Sequence, residues 1–181
     1  MTTYIALLRG INVSGQNSIR MSELQDSFST LGFKDIQTYL QSGNVVFDSQ
    51  KSDEDKLAAI IQAEIFQAYG HVVPVLVMSA KVIDDITSSN QLWPKTGGDE
   101  KLFHCTFLFK PVSQDLFRAL KLPALEGECA VLVGQVVLLH CPHGYGKAKL
   151  NNSYFERALG VSATTRNWRT VLALQALCAS R

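Results

Sequence analysis

The feature that most restricts the fold of this chain is that one order of apolar segments, strand, helix, strand, strand, helix, strand, runs through its 181 residues twice. Such a segment buries both helices most simply on one face of a single antiparallel sheet, which is the ferredoxin-like arrangement. In the first half, residues 4–8 form an apolar run that ends at Arg9 and Gly10. Leu24, Phe28 and Leu31 then share a helical face behind a capping box of Ser22 and Gln25, with Gly32 as the stop. Residues 36–40 and 45–47 flank Gln41, Ser42, Gly43 and Asn44, which reads as a hairpin. Asp53, Glu54 and Asp55 suit a helix N-terminus, and Leu57, Ile60, Ile61, Ile65 and Ala68 make its stripe up to Gly70. A strand over 72–78 and a short helix after Ser79 complete the half.

The second pass repeats the order. It predicts a strand over 102–109, a helix over 113–121 begun by Ser113, strands over 128–133 and 136–141 about Gly134 and Gln135, a helix over 152–159 stopped by Gly160, a strand over 161–165 and a helix over 167–179. The hairpin strings Gly43-Asn44-Val45-Val46-Phe47 and Gly134-Gln135-Val136-Val137-Leu138 align, which points to duplication. Between the halves, Trp93, Pro94, Gly97 and Gly98 break the periodicity. The expected organisation is an α+β chain of two ferredoxin-like halves in tandem, residues 1–90 and 102–181, joined by a linker over 91–101.

Charge narrows the function classes. The net charge of +1 hides an uneven distribution: residues 21–64 carry eight acids and three bases, and residues 143–169 carry Lys147, Lys149, Arg157, Arg166 and Arg169 against Glu156 alone. An anionic partner is drawn to the second segment, while overall neutrality counts against a dedicated DNA binder. The first residues hold no basic, apolar and small-residue sequence of the export type, and no apolar run is long enough to cross a bilayer. Cys105, Cys129, Cys141 and Cys178 form no C-x-x-C pair, so a cytoplasmic protein with reduced thiols is expected.

Ferredoxin-like topology brings particular loops together. The exit of the first strand lies beside the first hairpin, gathering Arg9, Gly10, Ile11 and Asn12 with Gln41, Ser42, Gly43 and Asn44. At the other end of the second half, residues 142–151 meet residues 165–169. There the helices starting near Asn152 and Asn167 turn their N-termini toward Lys147, Lys149, Arg166 and Arg169, a setting for an anion. Gly144 and Gly146 allow close backbone approach, although Gly-Tyr-Gly-Lys lacks P-loop spacing. Tyr145, expected on an exposed loop, and Trp168 are stacking candidates. Each residue also has a local use: Asn152 and Asn167 as helix caps, Asn12, Ser42 and Asn44 as turn formers, the arginines in surface ion pairs. His140, Cys141 and His143 lack the further ligands of a zinc site, and Cys141 beside a histidine is a thin case for a nucleophile.

Four strings carry a family likeness: Leu7-Leu8-Arg9-Gly10-Ile11-Asn12-Val13, Thr38-Tyr39-Leu40-Gln41-Ser42-Gly43-Asn44-Val45-Val46-Phe47, Gly144-Tyr145-Gly146-Lys147-Ala148-Lys149-Leu150 and Ala163-Thr164-Thr165-Arg166-Asn167-Trp168-Arg169-Thr170-Val171. With them the chain resembles the bacterial domain-of-unknown-function family numbered 1697. The resemblance supports fold and compartment and implies no activity. Family motif positions fall on Arg9, Gly10, Asn12, Ser42, Gly43, Asn44, Lys149, Asn151, Phe155, Glu156, Arg166, Asn167 and Trp168, and not on Cys141 or His143.

The expected function is a module, without metal or cofactor, that binds a phosphate-bearing ligand, either a nucleotide or a nucleic acid. Its expected contacts are Arg9, Asn12, Ser42, Asn44, Tyr145, Lys147, Lys149, Asn151, Arg166, Asn167, Trp168 and Arg169. Two other classes stay open: an enzyme for a small anionic substrate, with Glu156 or His143 as acid or base, and an interaction scaffold that pairs through an open sheet edge.

Overall fold

The computed structural model describes residues 1–89, 92 and 98–181. Trp93, Pro94 and Gly97, on which the expected linker rests, lie outside the described residues. The chain divides into two compact units, one of Met1–Asp84 with Ala173–Arg181 and the other of Asp85–Leu172.

The first unit runs β1 (Thr2–Leu8), α1 (Met21–Thr30), β2 (Lys34–Tyr39), β3 (Asn44–Ser49), α2 (Glu54–Tyr69), β4 (Val75–Ser79), followed by α3 (Ala80–Ser88). Its sheet has the order β2-β3-β1-β4, every pair antiparallel. The second runs β5 (Phe103–Leu108), α4 (Gln114–Arg118), β6 (Cys129–Val133), β7 (Val136–His140), α5 (Asn152–Leu159), β8 (Ala163–Asn167) and the start of α6 (Trp168–Ala179), whose residues from Ala173 belong to the first unit, with the order β6-β7-β5-β8. Both orders are ferredoxin-like, so the duplicated architecture read from the sequence is the one observed.

Period-2 alternation explains the core of each unit. Tyr4, Ala6 and Leu8 of β1, Val45 and Phe47 of β3, and Val75 and Val77 of β4 share the sheet face that buries Leu24 and Phe28 of α1 and Leu57, Ile61 and Ile65 of α2. Phe28, Phe33 and Phe47 interlock there, with ring centroids 4.5 Å apart for Phe33 and Phe47 and 5.3 Å for Phe28 and Phe47. In the second unit Leu108, Val137, Leu139 and Ala163 pack with Phe117, Phe155 and Leu159.

Helix ends follow local chemistry, with corrections. Asp53 caps α2 by accepting from the Lys56 N–H at 3.0 Å, and Ser113 caps α4 through the Leu116 N–H at 3.1 Å. Ser22 builds no capping box: α1 starts a residue earlier, behind Arg20, and Ser22 lies inside it. The helix expected over 113–121 stops at Arg118, with Ala119 as its C-cap. Among the described residues no helix is long and apolar enough to cross a membrane.

The register also corrects the hairpin alignment. Leu8 N–H donates to the Gly43 carbonyl at 2.8 Å and Leu108 N–H to the Gln135 carbonyl at 3.0 Å, so Gly43 corresponds to Gln135 and not to Gly134. The cause is turn length. Tyr39 pairs with Asn44 across Leu40 to Gly43, whereas Val133 pairs with Val136 across Gly134 and Gln135 alone, so the glycines occupy different places in the two turns.

Arg181 fastens the end of the chain to the first sheet. Its guanidinium donates to Asp48 Oδ1 at 3.0 Å, to the Val46 carbonyl at 3.2 Å and to the Asp35 carbonyl, and its Nε to the Leu177 carbonyl at 3.3 Å. The two side chains are 8% and 14% exposed, and Asp48 also accepts from Thr3 Oγ1. Removing one partner leaves the other charge partly buried and unpaired, so Arg181→Ala lowers the unfolding free energy in urea by about 2 kcal/mol. Adding Asp48→Ala restores part of that loss, and a strictly additive double variant would show that the pair is not coupled.

Candidate functional site

The two loops at the first-strand exit of the first unit do meet, and their polar side chains turn inward. Asn12, at φ 55°, donates through Nδ2 to the carbonyls of Ile19 at 2.9 Å and Gln41 at 2.8 Å, and its Oδ1 accepts from the Ile19 N–H at 2.9 Å. Asn44 is fully buried and donates to the Tyr39 carbonyl at 2.8 Å and to Ser42 Oγ at 3.0 Å. The half-buried Arg9 follows β1, its N–H on the Pro74 carbonyl at 2.9 Å. Asn12 thus ties the exit loop to the hairpin, while Asn44 and Ser42 brace the hairpin itself.

Gly43 is the tight point of that hairpin. Its φ is +74°, and a Cβ there falls 2.7 Å from Leu8 Cβ and 2.8 Å from Ile11 Cδ1. Both contacts are to side chains fixed in the core, so they cannot swing away.

In the second unit the expected segments also meet. Tyr145 opens a 3-10 turn (Tyr145–Lys147) after Gly144. Its ring is half-buried, not exposed as expected, and stacks on His104 with centroids 4.4 Å apart and an interplanar angle of 21°. Its hydroxyl accepts from the Asn152 N–H at 3.0 Å. Asn152 Nδ2 donates to the Ala163 carbonyl at 3.2 Å, and Asn152 Oδ1 accepts from Thr165 Oγ1 at 3.0 Å. Thr165 Oγ1 lies 2.8 Å from Thr106 Oγ1. His104 is the strand partner of Asn167. The 142–151 loop is therefore seated on the β5 and β8 ends through a polar layer of His104, Thr106, Tyr145, Asn152 and Thr165.

The helix N-termini that were expected to offer free N–H groups are capped from within. Asn151, not Asn152, is the cap of α5, taking the Tyr154 N–H at 3.0 Å, and Tyr145 takes that of Asn152. Asn167 Oδ1 accepts from the Thr170 N–H at 2.8 Å at the start of α6.

Arg166 does not join the lysines. β8 continues to Asn167, and period-2 alternation sends Arg166 to the sheet face opposite Ala163 and Thr165. It is 8% exposed, donating from Nη1 to Thr164 Oγ1 at 2.8 Å and to the Thr165 carbonyl at 3.0 Å. Burial pushes its pKa down to about 10. Trp168 is 4% exposed. Arg169 is exposed and reaches Glu100 Oε2 at 4.0 Å.

The field at this end is less one-sided than the 143–169 count implies, because other segments bring carboxylates. Glu100 faces Arg169, and the buried Glu128 accepts the N–H groups of Leu125 at 3.1 Å and Lys149 at 3.3 Å. Lys147 and Lys149 are exposed, and so is Lys101, which follows the turn-capping Asp99. Among the described residues none of these three ammonium groups has an ion-pair partner. The Cys141 N–H donates to the Leu102 carbonyl at 2.7 Å, tying the Lys101 segment to the lysine loop. Lys101 was missed because it lies outside the run of bases that the sequence shows.

The other candidates have structural employment. Glu156 Oε1 accepts from the Ala163 N–H at 2.8 Å, and His143 Nε2 contacts the Glu126 carbonyl at 2.9 Å. Cys141 is buried, and burial, reinforced by the Glu128 charge, pushes its thiol up to about 12, which removes the thiolate a nucleophile needs. No group of three or more His, Cys, Asp or Glu among the described residues is placed to hold a metal ion.

His104 is the unusual member of the polar layer. Its Nδ1 is buried and has no hydrogen-bond partner, and burial pushes its pKa down to about 4 against a smaller opposing effect of the Leu102 backbone.

The family described as protein of unknown function (DUF1697) matches residues 1–138. No curated protein matches the chain. Among solved structures, the conserved bacterial protein SP0830 from Streptococcus pneumoniae is similar at 23% identity, with 98% of each chain covered and a TM-score of 0.73, which is a likeness of fold.

Two outcomes test this construction. Gly43→Ala destabilises the protein by about 3 kcal/mol in urea unfolding, combining positive φ with overpacking, whereas Gly134→Ala, with φ +57° and open space, costs about 1 kcal/mol. Equal losses would mean that the close approach carries no weight. For His104, the unfolded imidazole takes a proton near pH 6.5 and the folded one near 4, so unfolding takes up a proton between those values. The stability contributed by the neutral ring is complete above about 6.5 and is lost as pH falls toward 4. The fall in stability across that window is shallower in His104→Phe, and identical pH profiles would show that the ring titrates normally.

Proposed function

The chain belongs to the DUF1697 family, to which no activity is attached, and from that premise we propose that it is a binding module for a phosphate-bearing ligand, held at the Lys101, Lys147, Lys149 and Arg169 corner of the second unit. The observation that carries the reading is that three exposed ammonium groups, with no ion-pair partner among the described residues, stand on segments that backbone hydrogen bonds and the Tyr145 stack hold still. Charges fixed in place cost less ordering entropy when an anion arrives than charges on a mobile tail. Arg169 adds a guanidinium whose present partner, Glu100, is at the limit of an ion pair, so phosphate oxygens compete for it on good terms.

On this reading the remaining expected contacts build the corner. Tyr145, Asn151, Asn167 and Trp168 position the loop and the helix starts, and Arg166 reinforces β8 from behind. Arg9, Asn12, Ser42 and Asn44 serve the fold of the first unit.

Titration calorimetry with pyrophosphate, a set of mononucleotides and a single-stranded oligonucleotide tests the proposal. Lys147→Ala with Lys149→Ala weakens binding of the best of these ligands by about tenfold or more, while Lys147→Arg with Lys149→Arg retains most of it. A polymer ligand also gives log affinity falling steeply with log salt, with a slope reduced by about 1 to 2 in the double alanine variant, whereas a mononucleotide shows a shallow slope throughout. Affinity for every ligand unchanged by the double variant would end the proposal.

A further inference from the structure

We propose that the outer edge of β6 pairs antiparallel with the same edge of a second copy of this chain, across a two-fold axis through Val131. The argument starts from the sheet edges. The edge strands are β2 and β4 in one sheet and β6 and β8 in the other. β4 and β8 are mostly buried, whereas β2 and β6 reach the surface along most of their length.

An exposed edge is a row of unused backbone donors and acceptors, and proteins that must stay apart blunt it with charge, bulges or cover. β2 is blunted in every one of these ways. It carries Lys34 and Asp35, its register breaks between Lys34 and Gln37, Asp35 sits at φ 46°, and the Asp35 carbonyl is occupied by Arg181. β6 has neither charge nor bulge, and among the described residues its outward groups are covered by one neutral side chain, Gln114. Its sequence Cys129-Ala130-Val131-Leu132-Val133 holds no charge, proline or glycine, and its register with β7 runs unbroken from Cys129 opposite His140 to Val133 opposite Val136.

The register also says which groups face outward. With Gly134 and Gln135 alone in the turn, Val133 and Val136 form the hydrogen-bonded pair that closes the hairpin, so alternation leaves the N–H and C=O of Ala130 and Leu132 pointing away from β7. The Leu132 carbonyl confirms this, because it accepts from Gln114 Nε2 at 3.0 Å, a side chain of α4 that a backbone donor can displace. Two such strands placed antiparallel about Val131 set Ala130 of each opposite Leu132 of the other. Both members of that pair carry outward groups, so the edge is its own complement in register and brings no like charges together. A copy of β2 in the same place would bring Lys34 and Asp35 to an edge that offers no counter-charge. Leu116 on α4 and Leu122 just beyond it, 45% and 38% exposed, add apolar surface on the elements beside this edge.

An edge contact of this size belongs to the weak class of interfaces, so sedimentation velocity over about 10–200 µM shows a reversible monomer–dimer equilibrium. Ala130→Pro removes an outward N–H without touching a bond to β7, and Val131→Lys sets two ammonium groups face to face on the axis; each weakens dimerisation by about tenfold or more. Far-UV circular dichroism and melting confirm that each variant is folded. Val131→Cys supplies a positive reading, a disulfide-linked dimer on mild oxidation. A wild-type chain monomeric at every concentration, or a dimer left intact by folded Ala130→Pro and Val131→Lys, overturns the proposal. Neither result bears on phosphate binding at the lysine corner, which rests on other residues.

Discussion

Each sheet depends on how its central strand leaves it. At the exit of β1, the N–H of Leu8 reaches the Gly43 carbonyl at 2.8 Å and that of Arg9 the Pro74 carbonyl at 2.9 Å. At the exit of β5, Leu108 and Phe109 do the same with Gln135 and Ser162, at 3.0 and 2.8 Å. These two bonds fix a central strand against both neighbours at once, and a slip of one residue on either side would turn every core side chain to the wrong face. The motif residues of the first unit protect that point: Gly43 admits the strand, Asn12 holds the exit loop to the hairpin, and Asn44 closes the turn from inside. Their polarity serves backbone groups of the exit loop and the hairpin, those of Ile19, Gln41 and Tyr39.

The same frame carries different contents in the two halves. Matching the exits places His104 where the first unit has Tyr4, Thr106 where it has Ala6, and Thr165 where it has Val77. The first unit is apolar at this level and gains stability from burial alone. The second replaces that contact with hydroxyls and an amide that hydrogen-bond to one another and an imidazole that stacks on Tyr145 with its Nδ1 left without a partner. A polar layer contributes less than apolar packing and holds geometry more strictly, because each misplaced donor costs a lost bond in a setting shut off from water. It belongs where a surface loop must be held still, and the loop it holds is the one with Lys147 and Lys149.

The architecture was legible because apolar periodicity repeats and turn formers punctuate it. Gly160, Ser113 and the Gly134-Gln135 turn fall where the pattern puts them. The meeting of the loops was legible too, since it follows from topology alone. Side-chain direction was not. Reading β8 as ending at residue 165 leaves Arg166 in a loop facing solvent; two more residues of strand turn it to the far face and bury it. Tyr145 was misplaced for a related reason: glycines on both sides suggest a mobile loop, but the stack on His104 comes from a strand forty-one residues earlier in the chain. Local composition carries no trace of such a contact. The capping box at Ser22 failed because a capping residue must precede the helix, and α1 begins before it.

Charge counted along the chain and charge gathered in space answer different questions. Residues 143–169 hold five bases and one acid, yet folding withdraws Arg166 behind the sheet, sets Glu100 against Arg169, and places the Glu128 carboxylate on the N–H of Lys149. It also adds Lys101 from a segment that the count leaves out. Screening by water keeps exposed pairs such as Arg169 and Glu100 weak, so they yield to a better anion, whereas Glu128 is buried and committed to backbone donors. The potential left at the surface therefore comes from lysines on segments held by buried contacts. An arginine fixed inside the sheet contributes to the stiffness of that support more than to the field above it.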